Sequence, residues 1–226
     1  MGRLAKVIPA SYSSLSSFET CPRKHYLTRV AKVVTEPQGE ALVWGNAVHA
    51  ALEKHLKDGT ALPPTMKSFM PLVDKLLSKV DGMVVLVEQE LCVDANFDPC
   101  GWWDKQGWFR GKVDAAFIAG DTAFVVDWKT GKVKNDPDQL ALFAALIFAH
   151  HPSVNTVKSA FAWLQERKLS TATFSREQVG ELWGALVPRV DHLKQAKDDD
   201  KWPPRPSGLC RKWCPVGKRH CEYCGE

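Results

Sequence analysis

Two aspartates and a lysine carry the most distinctive chemistry in this sequence. Asp114 lies in Arg110-Gly111-Lys112-Val113-Asp114, and Asp127 opens Asp127-Trp128-Lys129-Thr130-Gly131-Lys132. Between them, Gly120-Asp121 has the composition of a two-residue hairpin turn. That turn places Asp114 six residues before it and Asp127 six residues after it. The two then face each other across the ladder with Cβ atoms about 5 Å apart. Lys129, two residues on, shares the face of Asp127. Side-by-side carboxylates repel, and a divalent cation is the natural compensation. Mg²⁺ takes one or two carboxylates together with waters and phosphate oxygens. A neighbouring lysine can then hold a metal-activated water and stabilise charge on phosphate. A surface hairpin with an ordinary ion pair is the plain alternative. Phe124, Val125 and Val126 argue against it, because they make this a buried strand.

Other side chains offer weaker signals. His49 and Glu53 sit four apart on a helical stretch, where a polar, partly exposed face is the ordinary reading. Glu88 and Glu90 alternate with Gln89; either is a candidate for the site, and a solvent-facing strand accounts for both equally well. His150-His151 before Pro152 fits a helix C-terminus, where cationic side chains favour the dipole. Thr130-Gly131-Lys132 lacks the upstream glycines of a phosphate-binding loop, so nucleotide hydrolysis is disfavoured. Trp102, Trp103 and Trp108 interleave with Lys105 and Arg110. Such a group can stack bases and grip phosphates, or it can cover a small core.

Seven cysteines are too few for a disulfide scaffold of 226 residues, and the number is odd. Cys210, Cys214, Cys221 and Cys224 crowd together near the C-terminus, which in a reducing compartment points to metal. Taken alone, these four could hold zinc as a Cys₄ knuckle. Cys92 and Cys100 lack ligand spacing.

The elements needed to position these groups are legible. A short helix starts near Ser14 behind a run of hydroxyls, and a second covers residues 44–56 with Val48, Leu52 and Leu56 on one stripe and Gly59 as its stop. A third, amphipathic helix is expected over Lys67–Lys79. Strands are expected at Met83–Val93, Trp108–Ile118 and Ala123–Lys129. Asp136-Pro137 then opens an apolar helix to His150. Strands at Thr156–Gln165 and Leu169–Phe174 precede a helix over Arg176–Lys197. The implied organisation is one domain over 1–226. It has a helical part at 1–82, an α/β core at 83–197 and a Cys-rich metal-binding tail at 198–226.

At this point the chain resembles a known superfamily. Asp114 followed by Asp127-Trp128-Lys129 is similar to the signature of the PD-(D/E)XK nucleases, and the DWKTGK run with Asp138-Gln139-Leu140 resembles their RecB-like exonuclease branch. Gly45-Asn46-Ala47-Val48-His49 is similar to that branch's helical G-x-x-x-H. Ser16 to Pro22, with the C-terminal cysteines, resembles the CRISPR-associated and phage-encoded forms in which an iron–sulfur cluster joins both ends. The resemblance implies a restriction-endonuclease-like fold, with a mixed central sheet flanked by helices. It implies Mg²⁺ or Mn²⁺ held by His49, Asp114, Asp127 and the carbonyl of Trp128, with Lys129 positioning the water. It implies a 4Fe–4S cluster on Cys21, Cys210, Cys214 and Cys221, with Cys224 as alternative ligand and zinc as the alternative metal. Gln139, Glu53 and Arg110 become candidates for supporting or substrate contacts. Where the family often has Tyr four residues after the glutamine, this chain has Phe143. The cysteine spacing Cys210-x₃-Cys214 also departs from the usual C-x₂-C.

The function implied is metal-dependent DNA exonuclease action in end processing or recombination, on DNA that is single-stranded or has free ends. A recombination or CRISPR-type protein partner is suggested by the same likeness, as is a phage origin. The rival is a non-cutting DNA- or protein-binding module with a structural metal, although a pure binder has no use for a costly carboxylate pair. RNA or nucleotide hydrolysis is a third reading. A net charge of +4 permits nucleic acid without demanding it. No apolar run approaches the roughly 18 residues of a membrane helix. Met1 to Lys6 lacks an apolar signal core and a myristoylation motif, so a cytoplasmic location is expected.

Overall fold

The computed structural model describes residues 9–134 and 136–225, so the Met1–Lys6 reading lies outside the described residues. The chain divides into two compact units: Met1–Pro9 with Glu40–Trp183, and Ala10–Gly39 with Gly184–Glu226. Two segments far apart in sequence, 10–39 and 184–225, therefore make up the smaller unit.

The larger unit is built on six strands: β1 Val84–Val93, β2 Pro99–Cys100, β3 Phe109–Ala119, β4 Thr122–Lys129, β5 Thr156–Trp163 and β6 Lys168–Ser175. They form one sheet in the order β2-β1-β3-β4-β5-β6. Neighbours are antiparallel except β4 and β5, which run parallel. A parallel pair needs a crossover, and the helix Pro137–His150 supplies it. The expected strands match these closely; only the two-residue β2 had no sequence signal.

Alternation sorts the side chains of this sheet into two layers. Phe117, Val126, Trp128 and Ala162 pack with Val48 and Leu52, and with the segment from Leu62 to Val80. Phe161 and Trp163 point the other way and pack with Leu140 of the crossover helix. Fully burying side chains such as Leu52 or Phe117 is worth about 2 to 3 kcal/mol each. The helix bearing Val48 and Leu52 runs Glu40–Asp58, one turn longer at its start than expected, and ends before Gly59 at φ +73°. The expected helix over 67–79 is a 3₁₀ stretch Pro64–Phe69 followed by an α-helix Met70–Leu77. Pro71 explains the division, since a residue without an N–H fits only a helix's first turn.

The smaller unit has less regular structure. Its first helix is Tyr12–Thr20, two residues earlier than expected. Ser11 caps it: Ser11 Oγ accepts from Ser14 N, and Ser14 Oγ accepts from Ser11 N at 2.8 Å. A short helix Pro22–His25 leads into a π-helical turn Tyr26–Val30. The long helix Val179–Asp198 follows a 3₁₀ turn and gives its first residues to the larger unit. Phe18, Tyr26, Ala196 and Trp202 form a small core, and Arg189 grips Glu19 through two bonds of 2.6 and 2.9 Å. No helix among the described residues is long and apolar enough to cross a membrane.

Candidate active site and cysteine centre

Gly120, at φ +56°, and Asp121 make the expected two-residue turn between β3 and β4. The register expected from it holds from Ala119↔Thr122 to Ala115↔Val126, one pair short of Asp114 and Asp127. There the two strands diverge. Asp114 takes over what the ladder gives up: its Oδ2 accepts from Trp128 N at 2.8 Å. N–H and C=O of one residue leave a strand on the same edge, so the carbonyl of Trp128 also faces this gap.

A second irregularity lies on the other side of Asp114. Gly111 and Phe117 are six apart and should share a face. Yet Phe117 belongs to the layer under Val48, whereas a Cβ on Gly111 would stand 2.7 Å from Leu146 of the crossover helix. The faces of β3 therefore exchange between them. On β1, the residue opposite is Glu88, between Val87↔Ala115 and Gln89↔Val113, and its φ is +54°. A left-handed glutamate inside a strand is strained, and such strain gathers at functional sites.

These distortions aim three acidic or imidazole groups at one place. His49 Nδ1 lies 3.2 Å from Asp114 Oδ1. His49, Glu88 and Asp114 each offer a ligand atom, and the three lie within 4.8 Å of one another. Burial opposes charge on His49, but the bond to Asp114 and the nearby charges of Asp114, Asp127 and Glu88 outweigh it and raise its pKa. Lys112 pairs with Glu88. Gly45, one turn before His49, faces Thr130 at the end of β4, where a Cβ would stand 3.4 Å from its Oγ1.

Asp127 is only 6% exposed. Desolvation, then the charge of Asp114, pushes its pKa up to about 6 despite Lys129. Lys129 Nζ stands 2.6 Å from the buried Asp127 Oδ2, a close charge-to-charge contact. The same Nζ donates to Gln139 Oε1 at 3.1 Å and lies 4.8 Å over the ring of Phe161. Three elements thus hold one ammonium in place.

Not every candidate joins the group. Glu53 turns to Lys57 at 2.7 Å, which lowers its pKa, rather than to His49. Arg110 lies over Trp102 at 4.6 Å and Trp103 at 5.5 Å. Trp108 packs with Phe97 and Trp183, a covering role. Phe143 is buried beside Gly111, where a hydroxyl would lack solvent. His150 Nε2 bonds the carbonyl oxygen of Cys92 at 2.8 Å, as a structural residue would. Glu88 is the residue that sequence left undecided; the period of its strand could not foretell a left-handed turn of the backbone.

In the smaller unit, Cys21, Cys210, Cys214, Cys221 and Cys224 line one cavity. All seven cysteines are free thiols. Cys21 Sγ accepts from Arg205 N at 3.4 Å, and Cys210 Sγ from Ser207 N at 3.3 Å. Burial, together with Cys214 and Cys221, pushes the Cys224 thiol up to about 12. Among the described residues, no three sulfurs converge within 4.8 Å of one another. Cys92 and Cys100 are cross-strand partners elsewhere.

A mixed sheet whose strands diverge over acidic groups, with a lysine two residues past one of them, has the layout expected of the family that the sequence resembles. Residues 9–224 match the PD-(D/E)XK nuclease superfamily, and the chain belongs to it. The superfamily likeness read from the sequence is thereby borne out. No curated protein matches the sequence. Among solved structures, the chain is similar to a Eubacterium rectale protein provisionally named an exonuclease. The two share 13% identity at a TM-score of 0.54, over 90% of this chain and 86% of that one. The crystal structure of SSO0001 is similar at 14% identity and a TM-score of 0.48, over 95% and 86%. At 13% identity the E. rectale likeness is one of fold.

Proposed function

We propose that the chain is a metal-dependent deoxyribonuclease that acts from DNA ends. The observation that carries this reading is the convergence of His49, Glu88 and Asp114 within 4.8 Å, next to a buried Asp127 held by Lys129. The donor set fits a hard divalent ion. Two carboxylates and an imidazole meet there, Asp127 lies buried beside them, and the Trp128 carbonyl leaves the strand on the side where the ladder has ended. His49, Asp114, Asp127 and the Trp128 carbonyl are the assigned Mg²⁺ or Mn²⁺ ligands, and Glu88 joins them by its position. The bound ion would lower the pKa of a water and offset charge on the phosphate. Asp114, through Trp128 N, keeps β3 and β4 apart so that the carbonyl stays accessible. Lys129, steered by Gln139 and Phe161, holds the attacking water in line with the phosphorus and stabilises the developing charge. Preference for ends follows the provisional name of the E. rectale neighbour. A cytoplasmic setting suits seven free thiols.

We assign the cysteine cavity a 4Fe–4S cluster on Cys21, Cys210, Cys214 and Cys221, the ligand set that the family resemblance implies. Thiolates are the usual ligands, and backbone N–H groups already point at two of the sulfurs. A tetrahedral zinc site on Cys210, Cys214, Cys221 and Cys224 would need no help from Cys21. Anaerobically purified protein should be brown, and Cys21→Ala should remove the colour while Cys224→Ala keeps it. Metal retained in Cys21→Ala but lost in Cys224→Ala overturns the assignment.

The activity is tested with end-labelled single- and double-stranded DNA in Mn²⁺, Mg²⁺ or chelator. Shortening from the ends that needs metal is expected. Full activity in Lys129→Ala with the fold intact would sink the mechanism.

A further inference from the structure

We infer that Trp103, braced by Arg110, is a stacking platform for an unpaired DNA base on the approach to the active site; the inference rests on the nuclease reading above. Trp103 is 75% exposed, an unusual cost for an indole. It is nevertheless held in place. Trp102 meets it edge to face at 6.5 Å, and the Arg110 guanidinium lies over both rings. Arg110 Nη1 also donates to the Trp102 carbonyl at 3.5 Å. The loop therefore presents one indole outward on a cationic base, while Trp108 from the same loop turns inward to Phe97 and Trp183. The division of labour answers the question left open by the sequence: one tryptophan covers a core, and another faces solvent.

Position and charge select the occupant. Arg110, Lys112 and Asp114 alternate along β3, and Lys112 pairs with Glu88 of the acidic group. Four residues of strand separate Arg110 from Asp114, about 13 Å. That distance matches about four stacked nucleotides. A strand whose phosphate lies at Asp114 and Asp127 would thus bring a base to Trp103, with Arg110 and the exposed Lys105 beside its backbone. Every base has a flat face, so the platform reads single-strandedness and not sequence. In a duplex the faces are already stacked, and the platform has nothing to hold.

The test is binding of short oligo(dT), followed by anisotropy and by tryptophan fluorescence in chelator, so that nothing is cut. Wild type should bind with quenching. Trp103→Ala should lose about tenfold in affinity, the worth of one stacked base, and most of the quenching. Trp103→Phe should stay within about threefold of wild type. Trp213→Ala, which removes an equally exposed indole (76%) in the other unit, is the control for exposure alone. Unchanged affinity in Trp103→Ala, or an equal loss in Trp213→Ala, overturns the platform. A wild type that binds with quenching yet cuts no nucleic acid with any metal sinks the nuclease reading and leaves the platform standing.

Discussion

The two units solve the same problem, holding charged ligand groups together, by opposite means. In the larger unit the backbone does it. Asp114 replaces a ladder bond, Asp127 is buried in a strand, and Lys129 is fixed by Gln139 and Phe161 before any ion arrives. The smaller unit has little scaffold of this kind. From Lys201 onward the described chain has no helix or strand, and Leu27, Val216, Cys221 and Cys224 are the buried members of its local core. Five of its cysteines line one cavity. A site built on ladders should survive loss of its ligand, whereas a site built on loops should depend on it.

The largest expected effect lies in the larger unit. Lys129→Ala or Asp127→Ala should lower cleavage by about three orders of magnitude or more while the fold persists. Metal-free Asp127→Asn should melt no lower than metal-free wild type above pH 7. The carboxyl's pKa is raised when folded, so its ionisation costs stability as pH rises through about 6, and the amide removes that cost. Calorimetry beside a cleavage assay checks both; a collapse in melting temperature would mean that this site is not prebuilt.

Next in size is the loss of a cluster ligand. Cys221→Ala should expose 10–39 and 201–225 together to protease and hydrogen exchange, with β3 and β4 still protected. Equal loss of protection in both units would erase the contrast between them.

A smaller effect comes from His25, which is buried with its Nδ1 unpartnered. Burial, aided by Arg29, lowers its pKa to about 4. The folded value lies below the unfolded one, so stability is complete above about pH 6.5 and falls as pH drops toward 4. The full loss is about 3 kcal/mol at most. Stability measured against pH should lose this slope in His25→Phe; an unchanged slope refutes the account. The smallest change is Ser11→Ala, which removes a capping box and should cost the smaller unit about 1 kcal/mol by denaturant melting.

Much of the larger unit was legible because its signals are local. Gly120-Asp121 determines a turn, the turn determines a register, and the register brings Asp114 and Asp127 to the same level. Alternating apolar residues mark β3, β4 and β5, and Asp136-Pro137 marks the crossover helix. The spacing of Cys210, Cys214, Cys221 and Cys224 pointed to a metal, whereas a place for Cys21 beside them was implied only by the family resemblance. Tertiary structure decided the rest. That β3 and β4 separate a pair early, that Glu88 turns left-handed, and that Glu53 goes to Lys57 all depend on neighbours far away in sequence. So does the choice of which tryptophan turns inward. Propensity and period describe what one segment prefers; which backbone bond is surrendered, and which side chain takes its place, is settled only when layers compete for the same space.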